Sequence, residues 1–250
     1  MRKRYLIMFA ILAYAAALVA TLPTAQLLRW VDSRPAQLSG VGGSVWRGSA
    51  RRVKLEDAVA DDVHWRFLPA RLLWGEVAFG VQAQYAGGPA DGRVSADLHR
   101  ELHLRDFSYR MDARRLADFM PLPIAEFSGD IRTDLERVTV RDGVLHSVTG
   151  KVTWDRATLT SPFETMLGNY RVDVRTTERG HRAQLRGEGG SLAAEGEVRV
   201  QQDGRFNAAI TLTPARNAPS ELVQQLNFIA RKQRNGKYLL KHSGSLRDFW

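Results

Sequence analysis

The chain has 250 residues, 44% hydrophobic and 25% charged, which excludes collagen-like, low-complexity and fully disordered polypeptides and leaves room for a buried core. Lysine and arginine number 36 against 27 acids, a net charge of +9 that suits nucleic acid, anionic lipid or an acidic partner without choosing among them. The absence of cysteine excludes disulfide frameworks, thiolate nucleophiles, iron–sulfur clusters and thiolate zinc sites, so stability must come from packing.

Arg2, Lys3 and Arg4 precede a stretch from Tyr5 to Leu28 without a charged side chain, and as far as Leu22 it is almost wholly apolar. At about 1.5 Å per residue, the Tyr5–Leu22 core is roughly 27 Å long as a helix, close to the hydrocarbon thickness of a bilayer. The expectation is an uncleaved single-pass anchor. Its basic tip stays in the cytoplasm, everything after Arg29 crosses the membrane, and Trp30 sits at the far interface. A cleaved signal peptide competes with this reading but fits less well. Ala15, Ala16 and Ala17 lie inside the apolar run, and Pro23 stands where a small residue would precede Ala25. The expected organisation is residues 1–28 as cytoplasmic tip and transmembrane anchor, 29–42 as juxtamembrane linker, and 43–250 as an exported β-rich domain.

Large apolar side chains come first in the exported part: Trp46, Trp65, Phe67 and Trp74, with Leu68, Leu72 and Leu73, and with Pro69 interrupting. Burial is the ordinary reading; a lipid-facing or partner-facing patch is the functional one, with the four aromatics as its candidate residues. The acid pairs Glu56-Asp57 and Asp61-Asp62 read as solvated turns. From Glu76 to Tyr85, Val77, Phe79, Val81, Ala83 and Tyr85 alternate with smaller or polar residues, the period of a half-buried strand. Val94, Ala96, Leu98, Leu102 and Leu104 form a second series whose phase changes to Phe107, Tyr109 and Met111, implying a turn or bulge at Arg105-Asp106.

Two short turns of helix are predicted over Arg114–Met120, stopped by Pro121 and Pro123. Val138 and Val140 then lead through Asp142-Gly143 into Val144, His146, Val148, Val152 and Trp154, a hairpin pattern. Tyr170, Val172 and Val174 pair across Glu178–Gly180 with Ala183 and Leu185. A second Asp-Gly, Asp203-Gly204, separates Val198 and Val200 from Phe206, Ala208, Ile210 and Leu212. Ser220 is placed to cap a helix whose apolar face is Leu222, Val223, Leu226, Ile229 and Ala230, after which Asn235-Gly236 turns the chain into Tyr238–Leu240. Glycines at Gly43, Gly129, Gly150 and Gly196 each read as preceding an alternating strand, where they would let strands approach or bulge. The fold class expected is mainly β: the N-terminal transmembrane helix, then an extended or curled antiparallel sheet with one or two short helices.

Chemistry-bearing motifs are scarce. No glycine-rich nucleotide loop and no G-x-S-x-G elbow occurs. His99, Glu101 and His103 would share one face of a strand, within reach of a cation, but they read more simply as the wet side of a sheet whose inner face is Leu98, Leu102 and Leu104. No catalytic residue, metal site or cofactor is assigned, and the expectation is a protein that is not an enzyme. Acids interleave with the bases along most of the chain, which does not suit nucleic acid. The one dense basic run, Arg231, Lys232, Arg234, Lys237, Lys241 and Arg247, reads as a solvated face, with an acidic partner or lipid headgroups as the alternative.

GVGGSVWRGSA at 40–50 and HWRFLPARLLWGEVAFGVQA at 64–83 stand, in that order, after an N-terminal anchor. GVLHSVTGKVTWDRATL at 143–159, the hairpin at 189–214 and LNFIARKQRNGKYLLKHSGSL at 226–246 follow. In this order of motifs the chain resembles the type II secretion system protein N family over nearly its whole length. The resemblance implies a non-enzymatic, single-pass inner-membrane component with its bulk in the periplasm. Its β domain would scaffold or bridge other secretion subunits, namely inner-membrane components and the secretin or its connecting subunit. Two alternatives share the strands. One is a membrane-anchored periplasmic lipid-binding or lipid-transfer protein resembling the AsmA-like group, with Val77–Tyr85 and Phe206–Leu212 lining a trough. The other is an outer-membrane barrel, suggested by Phe249-Trp250 but needing a cleaved signal.

Overall fold

A computed structural model describes residues 36–55, 58–97, 99, 101–118, 125–142, 144–201 and 203–245. The anchor residues Arg2, Lys3, Arg4, Tyr5, Leu22, Leu28 and Trp30, the pair Glu56-Asp57, and Phe249-Trp250 lie outside the described residues. Among those described, no helix is long and apolar enough to cross a membrane. The chain divides into two compact units, one ending at Leu98 and the other beginning at His99.

In the first unit, β1 (Ala36–Ser39), β2 (Gly42–Gly43), β3 (Arg47–Leu55), β4 (Ala58–Phe67), β5 (Val77–Tyr85) and β6 (Gly88–Ala96) form antiparallel pairs in the order β1-β3-β4-β5-β6, with β2 also against β3. The segment expected as a linker thus contributes β1 and begins β2. β5 matches the strand predicted from its alternation. Asp61 and Asp62, expected in a turn, lie inside β4. Asp61 accepts a hydrogen bond from Arg52 at 2.7 Å on the neighbouring strand, and Asp62 takes a φ of +49° where the β4–β5 register slips. A polar pair that reads as a turn is therefore a bulge, which bends a strand without ending it.

The second unit comprises β7 (Glu101–Asp112), β8 (Glu126–Arg141), β9 (Val144–Ser161), β10 (Thr165–Thr177), β11 (Gly180–Glu188), β12 (Leu192–Val200), β13 (Arg205–Pro214), helix α1 (Ser220–Ile229), β14 (Arg231–Lys232) and β15 (Tyr238–Ser245). Every pair of neighbours is antiparallel, in the order β7-β8-β9-β10-β11-β12-β13-β15-β14, which does not close on itself. The hairpins read from Asp142-Gly143 and Asp203-Gly204 are present, with Arg141 opposite Val144 and Val200 opposite Phe206. Val172 pairs with Leu185 and Val174 with Ala183, as their alternation predicts.

At Arg105-Asp106 the chain does not turn, and the bulge lies one strand away, in β8 against β9. β7 runs on through Asp106, whose φ is +49°, and across from it β8 carries one residue, Glu136, more than β9 can match. A second bulge at Arg156 (φ +53°) moves the buried phase of β9 from Val148, Val152 and Trp154 to Ala157 and Leu159. The glycines expected before strands lie within them. Gly129 (φ +117°) sits at the register slip of β8, and a Cβ on Gly150 would come 2.5 Å from the Asp134 carbonyl oxygen. The physical role predicted for them, bulging and close approach, is retained at a different place in the strand.

The core lies under α1. Leu222 and Leu226 pack with Ala157, Leu159, Leu167, Leu192, Ala194, Leu212 and Tyr238, flanked by half-buried Phe127, Trp154, Tyr170 and Ile210. Two helical expectations need correction. Pro219, not Ser220, occupies the cap position, and the Ser220 hydroxyl donates to Glu221 instead. Ile229, assigned to the apolar face, is 57% exposed, whereas Leu226 is 2% exposed. The two helical turns expected over Arg114–Met120 are present as a 3₁₀ helix over Ala113–Asp118, with Met120 outside the described residues.

Candidate functional site

The four aromatics singled out from the sequence separate into two groups. Trp46 precedes β3, Phe67 ends β4, and Phe79 lies opposite Phe67 on β5. The Trp46 and Phe67 rings meet edge-on with centroids 4.6 Å apart, and Phe67 and Phe79 are tilted at 5.5 Å, geometries that favour aromatic packing. The Trp65 indole donates to the Val45 carbonyl at 3.0 Å, and the Phe67 amide donates to the Trp46 carbonyl at 2.7 Å. These three half-buried residues fasten the β2–β3 connection onto the sheet.

Trp74 does something else. It ends a 3₁₀ turn, Pro69–Trp74, that bridges β4 and β5. Proline pre-sets its first turn, and Gly75, at φ +71°, closes it by donating to Leu72 at 3.0 Å. Behind the turn, the Leu68 amide donates to the Ala78 carbonyl at 2.8 Å, and Arg71 lies 3.8 Å from Glu76. Six residues are too few for a helix with an inner face. Leu73 is accordingly 83% exposed and Trp74 69% exposed, beside exposed Leu72 and Val77. A tied-down turn presenting contiguous large apolar side chains is the kind of surface that marks an interaction site.

In the second unit, β10 to β13 carry two unlike faces. Arg171, Asp173, Arg186, Glu195 and Thr211 line a polar cleft of about 970 Å³ that includes Lys237. The opposite face sets Val172, Val174, Ala183, Leu185, Val198 and Ile210 side by side, all half-buried. Tyr170 joins the layers: its hydroxyl donates to the Leu192 carbonyl at 2.7 Å, and burial pushes its pKa up to about 12. In the β12–β13 turn, the Asp203 carboxylate accepts the Arg205 amide at 3.0 Å and its guanidinium at 2.6 Å. The backbone bond first, then the guanidinium, hold it below the usual carboxylate range.

The histidine-rich stretch is not arranged as expected. His99 lies outside β7, Leu102 is exposed, and the side chains of Glu101 and His103 are largely covered, so the predicted wet and dry sides are reversed there. Arg141, opposite Glu101 in register, pairs with its carboxylate, and His103 Nδ1 lies 3.2 Å from Thr139 Oγ1. Sequence reading missed the exposed end of α1, where Phe228 is 84% exposed. The signal available was its place outside the heptad-like face of Leu222 and Leu226.

Open antiparallel sheets, few helices and apolar side chains exposed at a turn define a β-rich protein of all-antiparallel, unclosed architecture. The family described as Type II secretion system (T2SS), protein N, matches residues 34–241. The chain belongs to this family and is a component of the type II secretion system. Relatives named Type II secretion system protein N include one from Vibrio cholerae serotype O1, 22% identical over 84% of this chain and 85% of the relative. Another, from Aeromonas hydrophila, is 22% identical over 94% and 96%, and one from Pectobacterium carotovorum is 24% identical over 94% of each. No solved structure matches the chain.

Proposed function

We propose that this protein is a non-enzymatic scaffold of the type II secretion machinery. Residues 1–28 anchor it in the inner membrane, and its periplasmic β-rich bulk bridges other secretion subunits, among them inner-membrane components and the secretin or its connecting subunit. The observation that carries the reading is the Leu72–Trp74 turn. It leaves large apolar surface in water at a cost that a protein partner would remove, since burying such side chains is worth about 1.5–3 kcal/mol each. Rigid sheets with a fixed apolar tip fit bridging, because little order is lost on docking. Anchoring holds the tip near its partners at high effective concentration. Replacing Leu73 and Trp74 together by aspartate should leave the amount and melting of the protein unchanged and reduce secretion at least tenfold. Undiminished secretion by the double variant would contradict the role.

A second reading, a lipid-binding body of AsmA-like type, is favoured by the half-buried apolar face of Val172, Val174, Ala183, Leu185 and Val198. Stoichiometric phospholipid co-purifying with the chain would mark that outcome.

A further inference from the structure

The basic run near the C-terminus, read from the sequence as a solvated face, is joined in the structure to exposed apolar side chains. α1 ends with Phe228 84% and Ile229 57% exposed, and Arg231, Lys232, Arg234 and Lys237 follow at once, all exposed. None of these four cations forms an ion pair among the described residues, although other arginines of the unit, such as Arg182 beside Glu197 and Arg205 beside Asp203, do. Lys232 Nζ lies 5.9 Å from the Tyr238 ring, while Lys237 also borders the polar cleft with Glu195. The negative end of the α1 dipole accounts for cations near Ile229, since the last turn of the helix contains none. It does not account for a phenylalanine left in water beside them.

We propose that Phe228–Lys237 is a docking site for an anionic phospholipid bilayer. Phe228 and Ile229 enter the boundary between headgroups and acyl chains, and Arg231, Lys232 and Arg234 contact lipid phosphates. Two apolar tips at a helix end, flanked by long flexible cations, suit a fluid headgroup layer, which requires no shape match. An acidic protein would need a broader complementary patch. The inference rests on the proposed function only for placing a membrane within reach of this unit.

The chain contains no cysteine, so a single nitroxide can be placed by Phe228→Cys, with Arg179→Cys, on the β10–β11 turn, as control. The full-length protein would be reconstituted in vesicles of phosphatidylcholine with and without phosphatidylglycerol. At position 228, the ratio of oxygen to nickel-chelate accessibility should rise severalfold only in the anionic vesicles and fall back in high salt, with position 179 aqueous throughout. Charge reversal of Arg231, Lys232 and Arg234 to glutamate should abolish the rise. The salt arm gives the same information without altering those three side chains. An aqueous label at 228 in anionic vesicles would overturn the proposal, as would equal burial in both lipid compositions. Immobilisation that appears only on adding an acidic secretion subunit would assign the patch to a protein instead. None of these readings depends on whether the Leu72–Trp74 turn supports secretion, so the two conclusions fail separately.

Discussion

Tyr170 and Tyr238 are both largely buried against the α1 core and differ in what their hydroxyls meet. Tyr170 donates to Leu192, whereas the Tyr238 hydroxyl, at a residue 1% exposed, has no hydrogen-bond partner among the described residues. Tyr170→Phe should cost about 1–3 kcal/mol at neutral pH by leaving a buried carbonyl short of a donor, while Tyr238→Phe should be neutral or stabilising. The pH dependence follows from burial favouring the neutral phenol. The unfolded chain releases the Tyr170 proton near pH 10, the folded chain near 12. Its contribution is therefore full below the lower value and is lost as pH rises through the upper one. Chemical denaturation at neutral and alkaline pH should show Tyr170→Phe with a shallower loss of stability above pH ~10 than the parent. A penalty for Tyr238→Phe as large as that for Tyr170→Phe would show that the Tyr238 hydroxyl is in fact bonded.

At the scale of elements, α1 separates periodicity from burial. Leu222, Leu226 and Ile229 fall on one helical face, yet the sheet order ends at β14, only Arg231–Lys232, and Ile229 stays in water. Leu226→Ala should cost about 2–5 kcal/mol. Ile229→Asp should change stability by no more than about 0.5 kcal/mol. Equal losses in thermal melts would place Ile229 in the core. The hairpins were legible because Asp-Gly between alternating runs has a local cause, and the pairing of Val172 with Leu185 followed from period two alone. The β3–β4 hairpin was not legible. Arg52, Asp61 and Asp62 look like solvated residues in one dimension, and only the opposite strand turns Asp61 into a cross-strand partner. The same reason hid the burial of Glu101 behind Arg141.

For the whole molecule, antiparallel pairing was readable from alternation, while the openness of the sheets and the division at Leu98 had no marker in the sequence, because a period of two is the same in an open sheet and a closed one. The four candidate aromatics were found together because bulk is visible in a sequence. Their separation into packed Trp46, Trp65 and Phe67 and displayed Trp74 depends on a six-residue turn with no inner face. In the proposed function, that turn is the contact through which the protein meets other secretion subunits. The most direct test is a photo-reactive amino acid placed at position 74, and separately at position 46, in cells secreting normally. Illumination of intact envelopes should join position 74 to another secretion subunit and leave position 46 without an intermolecular adduct. Equal adducts from both positions, or none from position 74 while secretion proceeds, would contradict it.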